Sequence, residues 1–198
     1  MNILVILAHP QQGSFNHAIA ASVVQTLEEN GHTVSFHDLY TENFDAVLPG
    51  EEIAAGAPLP TGILMYCREL AQADGVVIVH LNWWGMPPAI LKGFVDRVFR
   101  PEVAYKFLEE DSGEGVPLGL LKARTALVFN TSNTPAEREQ AVFGDPLDTL
   151  WKNCIFGLCG VTKVFRQNFG VIVTSTQKER QAWLRQVKEV VGQYFPSV

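Results

Sequence analysis

The chain has 198 residues, 47% hydrophobic and 18% charged, with a formal net charge of −6 at pH 7, which allows a sizeable core and argues against nucleic acid as a partner. The apolar opening run spans at most seven residues with no basic stretch ahead of it, so neither a signal peptide nor membrane insertion is expected, and a cytoplasmic protein is. The three cysteines, Cys67, Cys154 and Cys159, make no C-x-x-C pair and the five histidines no H-x-x-x-H, so reduced core cysteines and no metal site are expected.

In chain order, Ile3 to Ala8 form a continuous apolar run rich in β-branched residues, which suits a strand covered on both faces. His9-Pro10 ends the pairing, Gly13 permits a tight turn, and Ser14 is placed as the N-cap of a helix that Gly31 stops. A second strand is predicted over 32–40, then a long irregular connection over 41–60, of the kind that usually serves a function or an interface. A helix over 61–73 leads to a fully apolar strand over 74–81, an aromatic loop, and a helix that Pro88 opens and Pro101 closes. Residues 102–121 make a second excursion before a strand over 123–132 and a capping box at "TPAE" (134–137). A helix around 146–158, a strand around 162–173 and a last helix opened by the capping box "TQKE" (176–179) complete the chain.

No Pro/Gly/Ser-rich linker divides residues 1–198, which read as a single domain. Five strands alternating with five helices predict an α/β three-layer sandwich, a five-stranded parallel sheet with helices on both faces. In such sheets ligands sit beyond the carboxyl ends of the strands, at the switch point of strand order. The residues predicted there are His9–Asn16, His80–Pro88 and Asn130–Thr134.

The first set points the unpaired N–H groups of a helix at its neighbour and suits phosphate. Neither G-x-G-x-x-G nor G-x-x-x-x-G-K-[ST] is present, so a mono- or diphosphate held without metal fits better than a triphosphate. The plainer alternative is that Ser14 only caps the helix. Trp83 and Trp84 stand at a strand's carboxyl end, where they can meet a planar ring, or else fill a core or interface. Asn130-Thr131-Ser132-Asn133 can contact the same ligand or simply turn the chain into the "TPAE" box. A flat heteroaromatic ring linked to phosphate satisfies all three sets, and flavin fits that description.

At these residues the chain resembles the flavodoxin-like NAD(P)H:quinone oxidoreductase family, through "LAHPQQGSFN", "PAILKGFVDRVF" (88–99) and "FGDPLDTLWKNCIFGLCGV" (143–161). The resemblance implies a flavodoxin-like fold and a homodimer holding FAD or FMN. The phosphates would lie at His9, Ser14, Phe15 and Asn16, and the ring on Leu81, Asn82, Trp83 and Trp84, contacted by Asn130, Thr131, Ser132 and Asn133. Tyr105 and Phe107 stand where the family places aromatics lining the partner subunit's substrate pocket. Phe143 stands where mammalian members carry a histidine near the flavin.

The activity expected is two-electron transfer from NAD(P)H to a quinone or similar planar acceptor, with FAD favoured over FMN because the long connections could cover an adenine. Two alternatives are a one-electron flavodoxin carrier, which does not need two long excursions, and a flavin-bearing regulatory subunit of a membrane transporter.

Overall fold

The computed structural model describes residues 1–54, 56–108 and 115–198. A parallel sheet in the order β2-β1-β3-β6-β7 forms the middle layer: β1 (Asn2–Ala8), β2 (Thr33–Asp38), β3 (Gly75–Leu81), β6 (Thr125–Thr131) and β7 (Lys163–Phe169). Two-residue strands β4 (Tyr105–Lys106) and β5 (Leu118–Gly119) pair antiparallel within the second excursion, and residues 109–114 lie outside the described set. The helices are α1 (Phe15–Glu29), α2 (Thr61–Gln72), α3 (Ala89–Val98), α4 (Ala136–Arg138), α5 (Pro146–Thr149) and α6 (Gln177–Tyr194).

Alternation along the strands divides the core in two. Ile3, Val5 and Leu7 of β1, with Val77, Val79, Leu127 and Phe129, pack against Ile19, Val23 and Leu27 of α1 and Val187 and Val191 of α6. Leu4, Ile6, Val76, Ile78 and Val128 pack on the other face against α2, α3 and Trp151. Both faces of the central strands are therefore buried, which is why they read as unbroken apolar runs.

Several predicted boundaries shift for local reasons. The second strand stops at Asp38 because its carboxylate turns the chain, accepting from the backbone N–H groups of Tyr40 and Thr41. The "TPAE" box does not form: Pro135 is the N-cap, and the Thr134 N–H donates to Ser132 Oγ at 2.9 Å. The "TQKE" box forms fully, with Thr176 and Glu179 exchanging side-chain and backbone bonds. The helix predicted over 146–158 is α-helical only through Thr149 and continues with wider π-type turns over Leu150–Gly157. Cys67 and Cys159 are buried as expected, but Cys154 is exposed.

The 41–60 connection is fastened to α3. Glu52, 2% exposed, receives Nε and Nη2 of Arg97, itself 3% exposed, at 3.1 and 2.5 Å, while Arg97 Nη1 donates to the Asp45 carbonyl at 2.6 Å. Arg100 Nη2 adds a bond to the Glu52 carbonyl at 2.6 Å. The strap lies so close to α3 that a Cβ on Gly93 would sit 2.1 Å from the Ala46 carbonyl oxygen, which explains the glycine in "PAILKG". Removing one partner of a buried ion pair strands the other charge, so Arg97→Met is expected to lower stability in urea unfolding by about 3–5 kcal/mol. The double variant Arg97→Met/Glu52→Leu should recover most of that loss; an equal loss in both would locate the effect in packing instead of charge.

Candidate functional site

The chain runs from β1 to β2 on one side and then crosses to β3 on the other, so the switch point lies between β1 and β3. A cleft of about 910 Å³ opens there at the carboxyl ends of the strands, near the upper end of the range for small-molecule sites. Its walls include His9, Ser14, Phe15 and Asn16 from the first predicted set, Leu81, Asn82, Trp83 and Trp84 from the second, and Thr131, Ser132 and Asn133 from the third. Phe143 also lines it.

One residue of the reading lies outside this wall, and the two aromatics expected in a partner subunit's pocket line a second cavity. Asn130 is fully buried and not part of the wall. It still belongs to β6, and alternation turns it under the floor, where its Oδ1 accepts from Arg166 Nη1 at 2.6 Å and its Nδ2 donates to Asn168 at 2.6 Å. Tyr105 and Phe107 line a separate cavity of about 320 Å³, together with Phe99, Arg100 and Cys154.

At the α1 end of the cleft, Ser14 is the N-cap of α1 but its hydroxyl makes no capping bond, so the expected cap is absent and the first-turn N–H groups are left unclaimed by it. Asn16, 2% exposed, donates from Nδ2 to Thr131 Oγ1 at 2.8 Å and joins the first loop to the third. Its Oδ1, like that of Asn82, has no protein partner, so these walls present acceptors that suit the N–H and O–H donors of a ligand. Burial pushes the His9 imidazole below its usual pKa, and the Gln11 N–H donates to its Nδ1 at 3.1 Å.

The aromatic loop is a tight turn in which Trp83 and Met86 exchange backbone bonds at 3.0 and 2.9 Å. Its central residues are left-handed, Trp84 at φ 58° and Gly85 at φ 71°, and Trp84 stands wholly exposed at the rim. Left-handed backbone is strained for a residue as large as tryptophan. Beneath this loop His80 is fully buried. The Trp151 indole N–H donates to its Nε2 at 3.0 Å, which leaves the Nδ1–H to donate to the Leu81 carbonyl at 2.8 Å. Burial, with Arg166 adding to it, lowers this imidazole to about 4 and keeps it neutral.

The walls also contain Arg138, Glu139, Pro146, Ile172 and Arg180, none of which the sequence reading singled out. Arg180 is held by bonds from Nε to Ser175 Oγ at 2.8 Å and from Nη2 to the Ile172 carbonyl at 3.0 Å, with its guanidinium 5.9 Å from the centre of the Phe15 ring. A signal existed: Lys178 and Arg180 put two cations in the first turn of a helix, against its dipole, so one of them had reason to be placed for something else. Among the described residues neither Arg138 nor Arg180 has a carboxylate partner. The cleft of an acidic protein therefore keeps two unneutralised cations. The buried Glu139 carboxylate accepts from Asn82 Nδ2 at 3.2 Å.

Residues 1–191 match the family described as having a flavodoxin-like fold. The chain belongs to this family. It is 38% identical over 189 residues to an uncharacterized NAD(P)H oxidoreductase of Haemophilus influenzae, covering 93% of this chain and 91% of that protein. The mouse ribosyldihydronicotinamide dehydrogenase [quinone] is 27% identical, with 95% and 91% covered. The solved NAD(P)H:quinone oxidoreductase from Methanothermobacter marburgensis superposes with a TM-score of 0.80 at 25% identity, covering 96% of this chain and 95% of that one. Among the described residues no helix is long and apolar enough to cross a membrane.

The buried His80 carries a pH prediction. Its pKa is near 4 folded and about 6.5 unfolded, so between these values the unfolded chain binds the extra proton and stability falls as pH drops. The loss should reach roughly 3 kcal/mol below pH 4, and urea unfolding from pH 7 to 4 should show a correspondingly shallower slope in His80→Gln. An unchanged slope would mean that His80 is not the group responsible.

Proposed function

We propose that this chain is a flavoenzyme, binding FAD in the cleft and passing two electrons from NAD(P)H to a quinone or similar planar acceptor. The observation that carries the reading is the continuity of one cleft from the open N-terminus of α1, beside Arg180, to the Trp83–Trp84 loop at the switch point. The kinship to an NAD(P)H oxidoreductase and to quinone-reducing dehydrogenases supports it. When bound, the flavin supplies a hydride acceptor that can release electrons to a second molecule.

In this reading the N–H groups of α1 and the Arg180 guanidinium hold the phosphates, because each presents a donor to an anion in a partly dry setting. Asn16 and Asn82 offer acceptors to the ligand's hydroxyl and ring N–H groups. Leu81 and Trp83 flank the ring, and the Thr131–Asn133 segment faces it. Phe143 offers no titratable group, so charge arriving at the ring is met by neutral donors and by Arg138, whose guanidinium lies 5.9 Å from the centre of the Phe143 ring. The size of the cleft favours FAD and leaves room for an acceptor, which weighs against a simple electron carrier. Tyr105 and Phe107, set apart from the cleft, fit a second copy of the chain completing the substrate pocket.

The purified protein should be yellow, or become so on soaking, and should bleach under nitrogen on addition of NADH or NADPH and recover with a quinone. A preparation that takes up no flavin overturns the reading. Charge-assisted bonds are worth about 1.5–3 kcal/mol, so Arg180→Gln should weaken flavin binding about tenfold or more in a fluorescence titration. Affinity equal to wild type would remove Arg180 from the phosphate site.

A further inference from the structure

Ser14 has the extended backbone of an N-cap, φ −66° and ψ 167°, yet its hydroxyl makes no bond to the backbone N–H groups of its helix. An N-cap serine ordinarily accepts from the N–H of the second or third helical residue, here Asn16 or His17. Instead Ser14 Oγ lies 2.8 Å from Nδ1 of His17, one turn along α1. The opposite nitrogen of that ring, Nε2, lies 3.3 Å from Oδ2 of Asp38 at the end of β2, close to the carboxylate but without the alignment of a hydrogen bond. Asp38 is fixed in turn, since its carboxylate accepts from Gln12 Nε2 at 3.1 Å and from Thr41 Oγ1 at 2.5 Å. Burial alone would raise the Asp38 carboxyl, but these bonds outweigh it and hold it below the usual carboxylate value. The His9 ring stands edge-on to His17 with centroids 6.1 Å apart. His17 itself does not line the cleft, whereas Ser14, Phe15 and Asn16 do.

We propose that His17, set beside the Asp38 carboxylate, is a positioning residue that engages the Ser14 hydroxyl and prevents it from capping α1, so that the first-turn N–H groups stay free for the phosphate of the flavin. The inference rests on the flavin reading and adds a residue to it. A helix N-terminus has only a few unclaimed N–H groups, and a serine that caps competes with a bound anion for the same donors. The Ser14–His17–Asp38 line settles this competition in favour of the ligand. The flavin-free protein forgoes a cap, and the phosphate takes its place. The nearly buried Asn16, which lines the cleft and keeps an unpartnered Oδ1, independently marks the same turn as a ligand site, one that takes an O–H or N–H donor of the ligand beside its phosphate.

The test compares riboflavin, which lacks phosphate, with FMN and FAD on the flavin-free full-length protein, alongside its thermal melt. In His17→Ala, Ser14 is released to cap the helix. FMN and FAD should then bind about tenfold more weakly, with riboflavin unchanged. The flavin-free melting temperature should rise by about 2–4 °C, or at least not fall. His17→Gln, whose amide can still reach Ser14, should stay within about threefold of wild type for FMN. Once Ser14 is replaced by alanine, His17→Ala should have no further effect. Equal weakening of riboflavin and FMN, a lowered melting temperature, or additive effects of the two alanine variants would each overturn the positioning role while leaving the flavin reading intact. Failure of the wild type to bind any of the three overturns both.

Discussion

The register between β1 and β3 is the constraint from which the rest follows. Ala8 lies opposite His80, His80 opposite Asn130 and Leu81 opposite Thr131, so three strands end at one level and their loops meet. Because both faces of these strands are buried, a slip of one residue would exchange the two halves of the core, carrying Leu4 and Ile6 to the α1–α6 side. The apolar packing thus fixes a polar geometry it never touches. It brings the open end of α1, the tryptophan loop and the Ser132–Asn133 turn around a single opening.

A cleft at strand ends exposes the sheet's interior to polar chemistry, and the fold answers with a network beneath the floor. Arg166 donates to Asn130, to Asp148 at 3.3 Å and to Asp145, while Asn130 is also bound to Asn168. Each buried polar group there has a partner, which offsets the cost of drawing amides and a guanidinium out of water. The network also ties β7 to the turn at Gly144 and Asp145, both at positive φ. Phe143 and Pro146, which flank that turn on the cleft wall, are thereby held in place, and Gly85 of the tryptophan loop packs so closely on Pro146 that a Cβ there would sit 2.6 Å from its ring.

The sheet, its order of elements and the three loops that form the cleft were legible because they depend on local pattern: apolar runs, proline stops and helix starts. What stayed hidden depended on direction and on distant partners. Asn130 was expected to face the ligand because it follows the apolar run at the strand's carboxyl end, yet β6 continues two residues past Phe129, through Thr131, and alternation turns Asn130 inward. Ser14 looked like a cap because sequence shows a hydroxyl at the right position but not that the histidine one turn on claims it, beside a carboxylate from β2. Arg180 is separated from Ser14 by most of the chain, and only the packing of α1 against α6 makes them neighbours. The 41–60 segment was expected to serve a function or an interface, but its fastening to α3 stayed hidden because the Glu52–Arg97 pairing spans 45 positions.

Cys154 lies on the wall of the smaller cavity and is the one exposed thiol, since Cys67 and Cys159 are buried and burial pushes both of their thiols up, Cys159 to about 11. The unmodified chain therefore has a natural attachment point for a spin label or a fluorophore. A tag there would share the cavity wall with Tyr105 and Phe107, so it would sense whatever approaches the smaller cavity without an engineered cysteine.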